Sequence, residues 1–77
     1  MKLSIISAEK IEFEGEVEQV TLPGVMGSFQ VLNNHAAMIA ALTSGTMSWL
    51  AGGEKAEREI AGGVADVKDN VVSVCIY

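Results

Sequence analysis

Apolar and polar residues alternate along most of this chain, which is the pattern of β-strands with one buried face. KLSIIS and KIEFE both follow this period, and in the second segment Ile11 and Phe13 are expected to face inward. In EVEQVTL the apolar residues Val17 and Val20 are three positions apart, so the apolar face changes sides between them. A β-bulge would produce such a change. The period returns in SFQVL, TMSWL, KAEREI, VADV and VVSVCIY, so strands are predicted along nearly the whole chain.

Turn signals separate these predicted strands. Gly-Gly pairs at 52–53 and 62–63, and KDN at 68–70, are typical of tight turns. HAAMIAAL at 35–42 is rich in helix-forming residues, but an isolated helix of about eight residues is marginal, so we interpret it as a loop leading into a strand. Eight or more short strands with frequent turns predict one all-β domain over residues 1–77, a sandwich or a barrel.

Composition and charge narrow the possible functions. The chain of 77 residues has a net charge of −5 and only five Lys and Arg, which disfavours nucleic acid and anionic lipid as direct partners. No apolar run approaches the roughly 18 residues of a membrane span. One cysteine excludes an intrachain disulfide, and Cys75, in an apolar strand, is expected to be a small buried side chain.

Three groups of residues could carry chemistry, and each has a simpler explanation. The first group is a series of glutamates: Glu9, Glu12, Glu14, Glu16 and Glu18. Glutamates along an extended segment form a solvated face that also prevents edge-to-edge pairing, whereas a metal site needs ligands that converge from a loop. His35 has no second histidine near it in sequence, and no nucleophile motif supports a triad with Ser28 or Ser44. PGVMGS lacks the Gly-Lys-Ser/Thr ending of a phosphate loop. We therefore expect no catalytic residue, metal or cofactor.

One short motif gives an alternative function. Glu54-Lys55-Ala56 at a hairpin is similar to the lysine turn of lipoyl or biotinyl carrier domains, where an exposed lysine carries the cofactor. The resemblance covers three residues, and the glycines precede the lysine. A carrier domain with Lys55 as the modified residue is the alternative.

A broader resemblance covers nearly the whole chain. FEGEVEQVTLPGVMGSFQVLNNHAAMIAALTSG at 13–45, with IAGGVADVKDNVVSV at 60–74, resembles the N-terminal β-sandwich domain of the epsilon subunit of the F-type ATP synthase. Its most specific parts are Leu22-Pro23-Gly24, Gly27, Val31-Leu32, His35-Ala36, Leu42, Gly45 and Gly62-Gly63-Val64. The resemblance implies a ten-stranded sandwich of two five-stranded sheets.

The resemblance also implies a mechanical function. The family member is a non-catalytic subunit of the rotating central stalk, which binds the gamma subunit and the c-ring and helps couple ion translocation to rotation and ATP synthesis. It implies a peripheral location at the cytoplasmic face of the bacterial plasma membrane, and we expect a monomer when the chain is isolated. The implied c-ring contact is Pro23, Gly24, Met26, Gly27 and Ser28, and the implied gamma contact is His35, Ala36, Met38 and Ile39.

The turn at the c-ring contact is expected to be rigid, because Pro23 presets φ and Gly24 permits a positive φ. The sequence also departs from the family pattern. Ala37 stands where a proline is usual and Ser28 where many members are acidic, so a less stiff loop and no ion pair with the ring are expected. The sequence ends at Tyr77, where the family commonly continues into two helices that restrain ATP hydrolysis, so these residues alone are not expected to inhibit it strongly.

Overall fold

The computed structural model describes all residues from Met1 to Tyr77 and contains nine β-strands and no helix. The all-β prediction is therefore confirmed, whereas the expected ten strands in two sheets of five are not. No segment forms a helix that could cross a membrane. The strands are β1 Lys2–Ile6, β2 Ile11–Glu16, β3 Gln19–Gly24, β4 Gly27–Leu32, β5 Met38–Leu42, β6 Gly45–Ala51, β7 Glu54–Ile60, β8 Gly63–Lys68 and β9 Val71–Ile76.

The strands form one curled sheet that divides into two layers. The first layer has the order β2-β1-β9-β8-β5, and the second has the order β4-β3-β6-β7. All neighbours are antiparallel except β1 and β9, which are parallel. The layers join where Gly24 of β3 pairs with Leu42 of β5, and hydrogen bonds of 3.0 Å from Val25 N to Ala41 O and 2.9 Å from Thr43 N to Pro23 O flank this pair.

Alternating side chains of both layers build one hydrophobic core. Leu3 and Ile5 of β1 and Met47 of β6 are fully buried, as the period of two predicts for strands with one covered face. Phe13 and Phe29 pack against this core from the strands beside it. The buried apolar residues are Met1, Leu3, Ile5, Val17, Val20, Leu22, Val31, Leu42, Met47, Trp49, Ile60, Ala65, Val67, Val72, Val74 and Ile76.

Two side chains expected inside are outside. Cys75 is exposed, because β9 alternates and the residues on either side of it, Val74 and Ile76, take the inner face. Ile11 is 60 % exposed, because the ladder between β1 and β2 shifts register after Ile5 and turns the first residue of β2 outward. The prediction of a buried position was wrong for both.

The apolar slip near Val17 marks a change of layer, and Glu18 and Gln19 both lie opposite Leu50 there, which is the two-against-one count of a bulge. β2 ends at Glu16 beside β1, and Val17 N still bonds to Met1 O at 2.8 Å. Glu18 N then bonds to Leu50 O at 2.7 Å, in the second layer, and β3 follows. The chain thus passes from one layer to the other over two residues.

The predicted turns at 52–53 and at KDN are present, whereas Gly63 already belongs to β8 and no tight turn forms at 62–63. Gly52 and Gly53 both have positive φ, 59° and 80°, and connect β6 to β7 as a two-residue hairpin loop. The segment 33–37 is a turn and loop that leads into β5, so the interpretation of HAAMIAAL is confirmed.

Candidate partner-binding surface

A groove of about 490 Å³ lies between the hairpin of β3 and β4 and the adjacent strand β5. Its walls unite residues from both predicted contacts: Gly24, Met26, Gly27 and Ser28 from the c-ring set, and Met38 and Ile39 from the gamma set. Met26 is 97 % exposed at the tip of the hairpin, and Ile39 is 74 % exposed on β5. A large apolar surface therefore faces solvent here.

The hairpin itself is built differently from the expectation. Val25 and Met26 form the turn, whereas Pro23 and Gly24 lie within β3. Gly24 does not use the positive φ that glycine permits; it allows a close approach instead, since a Cβ there would lie 2.7 Å from Gly27 O and 2.9 Å from the Phe29 ring. Gly27 is the residue with positive φ, at 125°.

Pro23 lies where β3 changes its neighbour. Thr21 pairs with Ser48 of β6, and Gly24 pairs with Leu42 of β5. A proline has no N–H to donate, so a gap between two partners is a position where it interrupts no ladder. Its carbonyl is still used, because it accepts from Thr43 N at 2.9 Å.

His35 does not line the groove. It is half-buried in the loop before β5, where its N–H donates to Leu32 O at 3.2 Å and its Nδ1 lies 2.7 Å from Ala36 O. No hydrogen bond joins it to a serine or a carboxylate, and no cluster of three potential metal ligands exists in the chain. The ring shapes the loop and has no partner for proton transfer.

A second apolar feature crosses the outer face of the first layer. The register aligns one residue from each of five strands, and all of them are exposed on the side away from the core. The exposed fractions are 41 % for Val64, 38 % for Ile6 and 60 % for Ile11. We call this row the outer stripe: Ala41, Val64, Cys75, Ile6 and Ile11. It touches the groove, because Ala41 belongs to both.

The other end of the same outer face is charged. Lys68 and Lys2 flank Val71 in register, and Lys2 also pairs with Glu16 across the ladder to β2. Lys2 Nζ lies 3.8 Å from a carboxylate oxygen of Glu14. The face therefore runs from an apolar row to a charged row.

Charges are segregated along the chain as well. No Asp, Glu, Lys or Arg occurs between Glu18 and Glu54, so β3, β4, β5 and β6 contain none. This run includes the whole groove. The signal was present in the sequence and would have located the uncharged surface without a structure.

Lys55 occupies a different position from a carrier lysine at a hairpin tip. It lies in β7 opposite Leu50, and the tip is Gly52-Gly53. Its Nζ is 3.5 Å from a carboxylate oxygen of Glu57, and its side chain is 65 % exposed. Nothing in this arrangement distinguishes Lys55 from an ordinary strand lysine.

Comparison with known proteins gives consistent results. Residues 1–76 match the family described as the ATP synthase delta/epsilon chain, β-sandwich domain. The chain is 39 % identical over 70 residues to the ATP synthase epsilon chain of Rhodopseudomonas palustris, covering 91 % of this chain and 52 % of the relative. It is 39 % identical over 74 residues to the corresponding chain of Leptospira borgpetersenii, covering 96 % and 58 %. The chain thus spans about half the length of the curated relatives it matches.

Solved structures agree on the fold. A chain in the mitochondrial ATP synthase of Euglena gracilis (OSCP/F1/c-ring) superimposes with a TM-score of 0.89 at 27 % identity, over 96 % of this chain and 48 % of that one. A chain in the central stalk and c-ring of the Tetrahymena thermophila enzyme gives a TM-score of 0.82 at 18 % identity, over 99 % and 62 %.

Proposed function

This chain belongs to the ATP synthase delta/epsilon family, whose β-sandwich domain it forms, and we propose from this membership that it is a non-catalytic subunit of the central stalk. In this proposal it binds the gamma subunit and the c-ring and helps couple ion translocation to rotation and ATP synthesis. Its location, at the cytoplasmic face of the bacterial plasma membrane, comes from these partners, and the isolated chain is a monomer.

The observation that carries the proposal is the continuous apolar surface formed by the groove and the outer stripe. Apolar patches of this kind on a small domain mark sites that a partner covers. Full burial of one side chain such as Ile39, now 74 % exposed, is worth about 1.5–3 kcal/mol. A rigid sheet presents these side chains without further ordering, so little of that gain is lost on binding.

We assign the gamma contact to β5, the loop before it and the outer stripe. Ile39 and Ala41 project from β5, and Val64 continues the surface onto β8. His35 and Ala36 hold the loop that leads into β5 through the contact between Nδ1 and Ala36 O. The charged row on the same face would fix the orientation of gamma, because a shifted partner would place apolar groups against lysines.

We assign the c-ring contact to the exposed hairpin between β3 and β4. Met26 stands at its tip, and Gly27 and Ser28 follow at the start of β4. These residues carry no charge, so the contact with the ring would use apolar and neutral polar groups instead of an ion pair.

A pair of matched variants tests the gamma assignment. Val64→Asp places a carboxylate in the outer stripe, whereas Val71→Asp makes the same change in the charged row, between Lys68 and Lys2. Binding to purified gamma subunit, measured by calorimetry, should weaken at least roughly tenfold for Val64→Asp and little for Val71→Asp. Equal affinities in two variants that both retain the β circular dichroism spectrum would contradict the assignment.

A further inference from the structure

The curled sheet leaves three strands with a free edge, and one of them lacks protection. β2, β7 and β4 each have a neighbour on one side only. β2 carries three glutamates, and β7 carries three glutamates, a lysine and an arginine; such charges prevent another strand from pairing with an edge. β4, with the sequence GSFQVL, has no charge and no proline over six residues.

The hydrogen bonds at the end of β3 show which backbone groups of β4 are free. Val25 N donates to Ala41 O of β5, and Pro23 O accepts from Thr43 N just after β5. Gly24 therefore directs its own N–H and C=O to β4, where its partner is Gly27. Because the direction alternates along an antiparallel ladder, Phe29 and Val31 also bond to β3.

It follows that Ser28, Gln30 and Leu32 direct their backbone groups away from the sheet. Leu32 O accepts a hydrogen bond from His35 N at 3.2 Å. The N–H groups of all three residues, and the C=O groups of Ser28 and Gln30, are left without a protein partner. This edge can pair with an extended segment over three residues.

We infer that this free edge of β4 receives an extended, uncharged segment of a neighbouring chain of the central stalk, which adds one strand to the second layer. The inference rests on the proposed function, since that supplies the neighbouring chain. An uncharged segment fits this edge because β4 lies within the stretch between Glu18 and Glu54 that has no charged residue. Leu32, which is 50 % exposed, also offers the added segment an apolar side chain to contact. A second copy fits poorly, because each copy has a net charge of −5.

Amide hydrogen exchange, resolved by residue, tests the inference directly. The ¹⁵N-labelled chain is exchanged alone and within the assembled complex, then recovered and read by NMR. The amides of Ser28 and Gln30 should exchange fast in the isolated chain and roughly tenfold or more slowly in the complex. Phe29 and Val31 are internal controls, because their amides should be protected in both states.

The outcomes separate the possible explanations. Equal exchange of Ser28 and Gln30 in the free chain and in an assembled complex would overturn the inference and leave the proposed function intact. A wild-type chain that fails to assemble with the stalk subunits would overturn both. Protection that is already present in the isolated chain, and that rises with its concentration, would identify a second copy as the occupant and also overturn it.

A pair of variants at one position gives an independent test. Gln30→Pro removes the outward N–H and spares the ladder to β3, whereas Gln30→Ala keeps the N–H and loses only the side chain, which bonds to Gln19 at 3.1 Å. Affinity for the stalk complex should fall roughly tenfold for Gln30→Pro and remain near wild type for Gln30→Ala. Equal affinities of two folded variants would contradict strand addition.

Discussion

Arg58 Nε donates a 2.9 Å hydrogen bond to Glu12 Oε1 and thereby joins β7 to β2, the two ends of the curled sheet. In the same region the rings of Phe13 and Trp49 lie with their centroids 5.0 Å apart, tilted by 43°. The other junction between the layers, at Gly24 and Leu42, uses backbone hydrogen bonds. One junction therefore depends on ionisable side chains and the other does not.

The side-chain junction should make stability depend on pH. The hydrogen bond from Arg58 holds the pKa of Glu12 below its ordinary value of 4.5, so the ion pair stabilises the fold fully above that value and loses its effect as pH falls through the lowered pKa. Arg58→Met should therefore reduce the free energy of unfolding in urea at neutral pH and have little effect well below pH 4.5.

Lys55→Met is the control, because it removes an exposed ion pair with Glu57 that contributes little. If Arg58→Met lowers the free energy of unfolding equally at both pH values, uncharged contacts of the Arg58 side chain, and not its ion pair with Glu12, join the strands.

Adjacent isoleucines in β1 should differ sharply in their effect on stability. Ile5 is fully buried, whereas Ile6 is 38 % exposed in the outer stripe. Ile5→Ala should lower the free energy of unfolding by about 2–5 kcal/mol, because it leaves a cavity in the core. Ile6→Ala should cost less than about 1 kcal/mol. Denaturant titration measures both, and similar losses would mean that the outer stripe contributes to folding of the isolated chain.

The period of the apolar residues was sufficient to predict most of the core. Leu3, Met47 and Trp49 are buried on the expected faces, since each strand has one covered side. Cys75 was misplaced because a run of apolar residues was taken to be buried on both faces, although its own period puts it opposite Val74. The exposed outer stripe has the apolar composition of a core, so composition alone does not show which face of β9 is covered.

The groove could not be predicted from local patterns. It exists because Gly24 pairs with Leu42 between the layers and brings the hairpin tip beside β5. That pairing joins segments far apart in sequence, and the alternation within each strand carries no information about it. The predicted c-ring and gamma contacts were therefore described as separate sites, whereas Met26 and Ile39 line the same groove.

Two neighbouring positions in β5 should separate binding from folding. Met38 is half-buried and packs against the core, so Met38→Lys should destabilise the domain. Ile39 is 74 % exposed opposite Asp66, so Ile39→Lys gains an opposite charge across the strands and should keep the fold. Gamma binding should weaken for Ile39→Lys while its denaturation midpoint stays near wild type. A folded Ile39→Lys chain with full affinity would remove Ile39 from the gamma contact.

The hairpin tip allows the c-ring contact to be tested apart from gamma binding. Met26 is 97 % exposed, so Met26→Ala should leave stability unchanged. A side chain at position 27 would meet no other atom, but Gly27 has a φ of 125°, which valine rarely adopts. Gly27→Val should therefore distort the turn through a backbone strain of about 1–3 kcal/mol. If the tip faces the ring, both variants should lower ATP-driven ion pumping relative to ATP hydrolysis in vesicles containing the complete complex, while gamma binding survives. An unchanged ratio for both would show that the ring contact lies elsewhere.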